Sequence, residues 1–184
     1  MVIGVSGVAR SGKDSFYLLF KDLLNGKCEC IRSAFADKLK EDISPLVSSK
    51  FNIDIYSCSN KQKEMVRPLM VSYGMLARSV DKDYWIKQII PKIKEEQKNK
   101  NTISIITDVR YANEQKFLKK TFKSFNSVHI ERFGFEPINE EEAKNTPEVK
   151  KNSDYVIQWR NFEGDIETGK PFVNGFINER LKIR

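Results

Sequence analysis

The segment "GVARSGKDSF", residues 7–16, contains Gly7, Gly12 and Lys13 in the spacing G-x-x-x-x-G-K. This spacing is typical of a phosphate-binding loop, in which backbone N–H groups surround phosphate oxygens and the lysine reaches the β- and γ-phosphates. The two glycines keep side chains out of the way of the phosphates. We predict that this loop binds the phosphates of ATP through Gly7, Ala9, Arg10, Ser11, Gly12, Lys13, Asp14 and Ser15.

The residue after the loop lysine departs from the common pattern. Asp14 stands where a magnesium-binding Ser or Thr is expected, and Ser15 follows it. A carboxylate holds Mg²⁺ directly or through water, and a hydroxyl one place later offers the alternative ligand. Arg10, inside the loop, adds positive charge near a phosphoryl group in transfer.

A second acidic candidate lies at the end of the clearest predicted strand, "TISIITDV". Asp108 there is placed as the aspartate that orients the water shell of Mg²⁺ in nucleotide-binding folds. Arg110, two residues later in an extended chain, is placed to contact a phosphate. The predicted metal ligands are therefore Asp14, Ser15 and Asp108, and the predicted catalytic residues are Lys13, Arg10, Asp108 and Arg110.

Residues 63–85 contain candidates for binding an acceptor. Arg67 and Arg78 flank an apolar helical stretch, and guanidinium groups suit bidentate capture of a phosphate. Tyr84 and Trp85 follow them. These two rings have two interpretations, stacking on a nucleobase or packing in the core.

Charged residues after two other predicted strands complete the candidate substrate-binding set. Asp37 and Lys40 follow the second strand, and a cap on the next helix is one role for Asp37. Arg132 ends a later strand. The segment after it, residues 133–152, is either a lid that excludes water or a solvated charged loop.

Strands and helices alternate along the chain, which predicts an α/β fold with a mostly parallel sheet. We expect a three-layer α/β/α P-loop NTPase fold with a helical insert over about residues 40–98. Pro45 is expected to bend or break the second helix. A short helix is expected over residues 139–145, and a final one near the end of the chain. In such folds ligands bind beyond the carboxyl ends of the strands.

The composition agrees with a single domain over residues 1–184. The sequence has no apolar run long enough to span a bilayer, and its three cysteines form no CxxC pair. We expect a cytoplasmic protein, of cellular or viral origin. The formal net charge of +7 suits acidic partners. However, much of this charge lies in mixed Lys/Glu stretches, so nucleic acid is not the expected ligand.

Four segments resemble known kinases. "SGVARSGKDSF" resembles the loop of bacteriophage deoxynucleoside monophosphate kinases, where Lys-Asp replaces Lys-Ser or Lys-Thr, and animal phosphomevalonate kinases share this feature. Residues 33–40 ("SAFADKLK") and the Arg67–Arg78 pattern resemble both families, and the resemblance implies that Asp37 lies near the acceptor or the metal. "DVRYANE", residues 108–114, resembles the corresponding segment of the phage kinases.

The resemblance implies an ATP- and Mg²⁺-dependent kinase of deoxynucleoside or nucleoside monophosphates, with the acceptor bound against residues 63–85 and with homodimers common among its relatives. A kinase of phosphomevalonate or dephospho-coenzyme A is the first alternative. The second is a nucleic-acid-associated NTPase without a small acceptor, although no helix-turn-helix, zinc finger or aromatic RNA-binding signature supports it.

The phosphate-loop assignment makes one direct prediction. Lys13→Ala removes the cation that stabilises charge on the transferring group, so phosphoryl transfer should be abolished while the fold stays intact. Turnover and circular dichroism of the variant check both parts. Near-normal turnover of Lys13→Ala would contradict the assignment of residues 7–13 as a phosphate-binding loop.

Overall fold

The computed structural model describes residues 1–160, 162 and 164–181, and it contains one five-stranded sheet. All strand pairs are parallel, and the spatial order is β2-β3-β1-β4-β5. The strands are β1 (Val2–Ser6), β2 (Glu29–Ser33), β3 (Thr102–Val109), β4 (Phe125–Arg132) and β5 (Tyr155–Trp159). The central strand β1 is buried throughout, as expected for a strand covered on both faces.

Helices connect the strands and cover the sheet. They are α1 (Lys13–Leu23), α2 (Phe35–Phe51), α3 (Asn60–Val80), α4 (Tyr84–Glu96), α5 (Ala112–Thr121), α6 (Glu140–Lys151) and α7 (Lys170–Phe176). The predicted insert therefore consists of α2, α3 and α4, all placed between β2 and β3.

Two apolar clusters, one on each face of the sheet, give the fold its three layers. On one face Phe16 and Phe20 of α1 pack against Phe176 of α7, with ring centroids 5.8 and 6.4 Å from that of Phe176. On the other face, Trp85 and Leu118 belong to the cluster that joins α4 and α5 to the sheet. The predicted α/β/α class is confirmed.

Two helices differ from the sequence-based expectation. Helix α2 continues through Pro45, because Ile43 and Val47 on either side are buried in a cluster with α3. Pro45 itself is exposed, so the carbonyl that loses its helical donor lies on the solvent side. Helix α6 has 12 residues rather than the short segment expected, and it includes Pro147.

The last part of the chain completes the core. A 3-10 turn (Ile166–Gly169) leads into α7, and a π-helical turn (Ile177–Leu181) follows. The expected final helix thus begins at Lys170, and the last residues of the predicted segment, 182–184, lie outside the described residues. Within the part of the chain that the structure describes, no helix has the length and apolar character needed to cross a membrane.

The two phenylalanines of α7 test this packing. Phe176 is fully buried, whereas Phe172 is 43% exposed. Phe176→Ala should lower the free energy of unfolding by about 3–5 kcal/mol because it leaves a cavity against α1. Phe172→Ala should cost less than about 1 kcal/mol. Urea denaturation of both variants measures the difference, and equal losses would contradict the observed packing of α7.

Candidate active site

The phosphate loop joins β1 to α1 and depends on two glycines. Gly12 caps α1 in the left-handed region, at φ 98°, and a Cβ there would lie 2.8 Å from Trp159. A Cβ on Gly7 would lie 2.3 Å from the carbonyl oxygen of Ile130. The close approach of Trp159 and of the Ile130 backbone therefore requires glycine at both positions.

Trp159, at the end of β5, forms the floor of this loop. Its indole is 2% exposed, and its Nε1–H donates to the carbonyl of Ser11 over 2.8 Å. An aromatic ring beneath the loop and a hydrogen bond to its backbone fix the shape of the cradle. Nothing in the sequence distinguishes this tryptophan from Trp85, so its role was not predicted.

Lys13 lies inside the cradle with its ammonium group on loop carbonyls. Its Nζ donates to Gly7 O over 2.9 Å and to Val8 O over 2.7 Å. Burial lowers the pKa of Lys13 to about 8, and the Arg110 guanidinium acts in the same direction. The acidic neighbours Glu142, Asp108 and Asp14 oppose this shift. These charges are therefore close enough to act together on a bound phosphate.

Asp108 joins the end of β3 to the start of α2. Its Oδ1 accepts from the backbone N–H of Phe35 over 2.8 Å, and its Oδ2 accepts from Ala36 N–H over 2.9 Å. These are donors that a helix N-terminus leaves unpaired. Burial raises the pKa of Asp108, against the lowering effect of those two hydrogen bonds.

Arg32, which the sequence did not single out, bridges two predicted site residues. Its guanidinium contacts Asp14 at 3.5 Å and Asp37 at 3.2 Å. Asp37 therefore lies at the start of α2 beside the phosphate loop, within reach of the charge on Asp108. Lys40 is half-buried on the same helix, one turn further along.

Hard oxygen ligands at the mouth of the cradle suit Mg²⁺. Asp14 is 79% exposed in the first turn of α1, Ser15 follows it, and Asp108 ends the neighbouring strand. Among the described residues, no group of three or more His, Cys, Asp or Glu side chains could hold a metal unaided. The residues present fit an ion held mainly by phosphates and water.

Arg78 of α3 is anchored by a buried carboxylate. Glu114, 2% exposed, accepts from the backbone N–H groups of Arg110 and Tyr111 at 2.8 and 3.1 Å. Its second oxygen lies 3.7 Å from the Arg78 guanidinium, which stacks over the Tyr111 ring at 4.6 Å. Burial raises the pKa of Glu114 to about 7, while the two N–H donors and Arg78 lower it. Glu114 thus contacts the side chain of Arg78 and the backbone of Arg110, and the sequence had given it no role.

Helix α6, inside the predicted lid segment, contacts the loop through acidic residues. Glu142 Oε1 accepts from the backbone N–H of Ala9 over 3.0 Å. The Tyr111 hydroxyl donates to Glu141. Both glutamates line a small cavity together with Gly7 and Arg110. Residues 140–151 therefore form a helix whose first turn contacts the phosphate loop.

Arg132 lies on the other side of the loop from Arg78. It donates to the carbonyl of Arg10 over 3.3 Å and stacks over Phe135 at 4.6 Å and Phe162 at 5.3 Å. The exposed side chain of Arg10 lies at the same rim. Arg132 is thus placed beside the phosphate-loop backbone.

The structure separates two predicted residues, Trp85 and Arg67, from this cluster. Trp85 is 2% exposed in the core and donates to Gly74 O over 3.2 Å, which leaves no indole face for a nucleobase. Tyr84 packs edge-on against Trp85 and keeps part of its ring exposed. Arg67 pairs with Glu64, about 16 Å along the axis of α3 from Arg78.

The pKa of Lys13 predicts how ATP binding depends on pH. Above pH 8 the ligand-free protein loses the Lys13 proton, which the phosphates require, so the dissociation constant for ATP should rise by up to about tenfold per pH unit. The pKa of Lys13 is lower in the folded protein than in the unfolded chain, so the contribution of Lys13 to the free energy of unfolding grows as the pH rises above 8. Unfolding caused by Lys13 therefore does not explain the loss of ATP binding. Titrations with Mg·ATP from pH 7 to 9.5 measure it. An equally steep rise in Lys13→Met would show that another group is responsible.

The two buried tryptophans form a matched pair, because each donates its indole N–H to a backbone carbonyl. Trp159→Phe and Trp85→Phe should each cost about 1–3 kcal/mol of stability. Trp159→Phe alone should also weaken ATP binding, by about tenfold, because the loop loses its floor. Urea denaturation and ATP titration measure both effects. Equal ATP affinities in the two variants would contradict the assignment.

Comparisons with known proteins agree with this geometry. Among solved structures, an unliganded sugar kinase from Janibacter sp. HTCC2649 matches with a TM-score of 0.54 at 10% identity, covering 99% of this chain and 94% of the other. APE1195 matches with a TM-score of 0.52 at 13% identity, covering 98% and 96%. At such identities the likeness shows the shared fold. The search of curated proteins gave no match.

A family model supplies the closer relationship. The model described as phosphomevalonate kinase matches residues 5–124, which are 120 of the 184 residues. The match includes the phosphate loop, helix α3 with Arg67 and Arg78, and the segment with Asp108 and Arg110. A small-substrate phosphotransferase that uses ATP agrees with this match and with the fold. The chain belongs to the phosphomevalonate kinase family.

Proposed function

We propose that this protein transfers the γ-phosphoryl group of ATP to the phosphate of a small phosphorylated acceptor and so forms a diphosphate. The observation that supports this most directly is the position of Arg110. It acts electrostatically on Lys13 in the phosphate loop, and its own backbone is held by Glu114, which also holds Arg78. The cation proposed for the donor phosphates, Lys13, therefore lies close to the cations proposed for the acceptor phosphate, Arg110 and Arg78.

The mechanism follows from positioning and charge. Lys13 and Arg10 stabilise the negative charge on the group in transfer, and Arg78 and Arg110 hold the acceptor phosphate in line with it. Phosphoryl transfer to a phosphate oxygen needs no general base, because the attacking oxygen is already ionised. When bound, Mg²⁺ neutralises charge on the donor phosphates, and Asp14, Ser15 and Asp108 are the residues that would hold it.

We propose nucleoside and deoxynucleoside monophosphates as the acceptor class. The partly exposed Tyr84 ring beside Arg78's helix supports this choice, together with the Lys-Asp loop and "DVRYANE" resemblances. A second candidate, phosphomevalonate, is favoured by the family match and by the burial of Trp85, which removes one stacking surface. Dephospho-coenzyme A, which accepts on a hydroxyl and not on a phosphate, belongs to the same test, and ADP release only with it would contradict transfer to a phosphate.

A coupled assay of ADP release decides between these acceptors. The protein is supplied with ATP and Mg²⁺ and with each monophosphate, phosphomevalonate or dephospho-coenzyme A in turn. ADP release that requires a nucleoside or deoxynucleoside monophosphate supports the proposal, and release only with phosphomevalonate supports the second candidate. ADP release at the same rate with and without each acceptor would contradict both candidates and would favour a nucleic-acid-associated NTPase.

Two arginines of α3 provide a matched test of the acceptor site. Arg78→Gln should raise the KM for the acceptor by at least about tenfold while the KM for ATP stays the same, because the guanidinium lies on the acceptor side. Arg67→Gln, in the exposed pair with Glu64, should change both constants little. Steady-state kinetics measure the difference. A larger effect from Arg67→Gln would place the acceptor elsewhere on α3.

A further inference from the structure

A carboxylate from helix α6 accepts a hydrogen bond from the backbone of the phosphate loop. Glu142 Oε1 accepts from the backbone N–H of Ala9 over 3.0 Å, and its Oε2 accepts from Ile138 N–H over 3.1 Å. Ala9 belongs to the loop whose N–H groups are the anion-binding donors of this fold. The charge on Glu142 also acts on Lys13 in the direction that keeps the lysine protonated. Glu142 therefore makes the contacts that an anionic ligand would make.

The position of Ala9 within the loop indicates which ligand group is concerned. Lys13 Nζ lies on the carbonyls of Gly7 and Val8, directly before Ala9 in the chain. A loop lysine in this place reaches the β- and γ-phosphates, whereas the helix N-terminus at Gly12 faces the phosphates nearer the nucleoside. The N–H of Ala9 thus faces the distal end of a bound triphosphate.

We propose that Glu142 is an internal substitute for the donor's terminal phosphate and determines how the site distinguishes ATP from ADP. This inference rests on the proposed function. ATP must displace the carboxylate to bind with its γ-phosphate in the cradle, because one N–H group cannot serve two anions and their charges repel. ADP leaves the position of the γ-phosphate free, so Glu142 stays in place.

The displacement has a consequence for the acceptor side. Glu141, the neighbour of Glu142 on α6, accepts from the Tyr111 hydroxyl, and the Tyr111 ring supports the guanidinium of Arg78. When ATP displaces Glu142, the first turn of α6 loses its contact with the loop, and the cavity between α6 and Arg110 can widen. After transfer, ADP no longer competes with Glu142, and α6 returns. Only ATP carries the γ-phosphate, so ATP but not ADP binds more tightly to the state in which Glu142 is displaced from the loop.

Glu142→Gln tests this role, with Glu140→Gln as the matched control. Glu140 is exposed in the same helical turn, whereas Glu142 contacts the loop. ATP and ADP are titrated with Mg²⁺ and without acceptor. In Glu142→Gln the affinity for ATP should rise by about tenfold and that for ADP by less than about twofold, because a neutral amide competes less well for the N–H. Glu140→Gln should bind both nucleotides as the unaltered protein does.

Hydrogen exchange of α6 provides a second measurement. In the unaltered protein, ATP but not ADP should speed the exchange of backbone amides at the start of α6. An unchanged ratio of ATP to ADP affinity in Glu142→Gln, or equal effects of both nucleotides on exchange, would overturn this inference and leave the proposed kinase intact. Binding of neither nucleotide to the unaltered protein would overturn both.

Discussion

Parallel pairing of all five strands is the constraint on which the site depends, because it places every carboxyl end on one edge of the sheet. The phosphate loop follows β1, Arg32 belongs to the last residues of β2, and Asp108 to those of β3. Arg132 and Trp159 end β4 and β5. Residues from distant parts of the chain thus meet at that edge. The apolar clusters on both faces of the sheet hold this edge in place.

Carboxylates organise the cations at this edge through backbone hydrogen bonds. Asp108 accepts from the start of α2, and Glu114 accepts from the start of α5 and faces Arg78. Glu114 is buried and Asp108 is half-buried, and both lie where a strand meets a helix. Glu142 makes the same kind of bond to the phosphate loop, but it comes from a helix near the surface. A carboxylate that accepts from backbone N–H groups therefore holds the structure together at Asp108 and Glu114, whereas at Glu142 a ligand can replace it.

Local spacing was sufficient to predict part of the site. The loop glycines, Lys13 and Asp108 could be recognised because their roles follow from a turn or a strand end within a few residues. The alternation of strands and helices predicted the fold class for the same reason. Pro45 does not break α2, since the packing of its neighbours against α3 outweighs the local cost of proline in a helix.

The remaining features depend on contacts between distant segments. Trp159 and Trp85 are the same residue type, and only the order of the strands places Trp159 beneath the loop and Trp85 in the core. Glu142 is 133 residues from Ala9, and its position depends on where α6 crosses the edge of the sheet. Glu114 could have been suspected from its place in the first turn of α5. Its partner Arg78, however, comes from the helical insert.

In the proposed reaction the γ-phosphoryl group of ATP goes to a phosphate and not to water. Phosphorus NMR of a reaction with ATP, Mg²⁺ and the acceptor that supports ADP release follows the transferred group directly. We predict two new coupled resonances, those of a diphosphate on the acceptor, which grow in step with ADP. Growth of a single orthophosphate resonance instead would show transfer to water and would contradict the account.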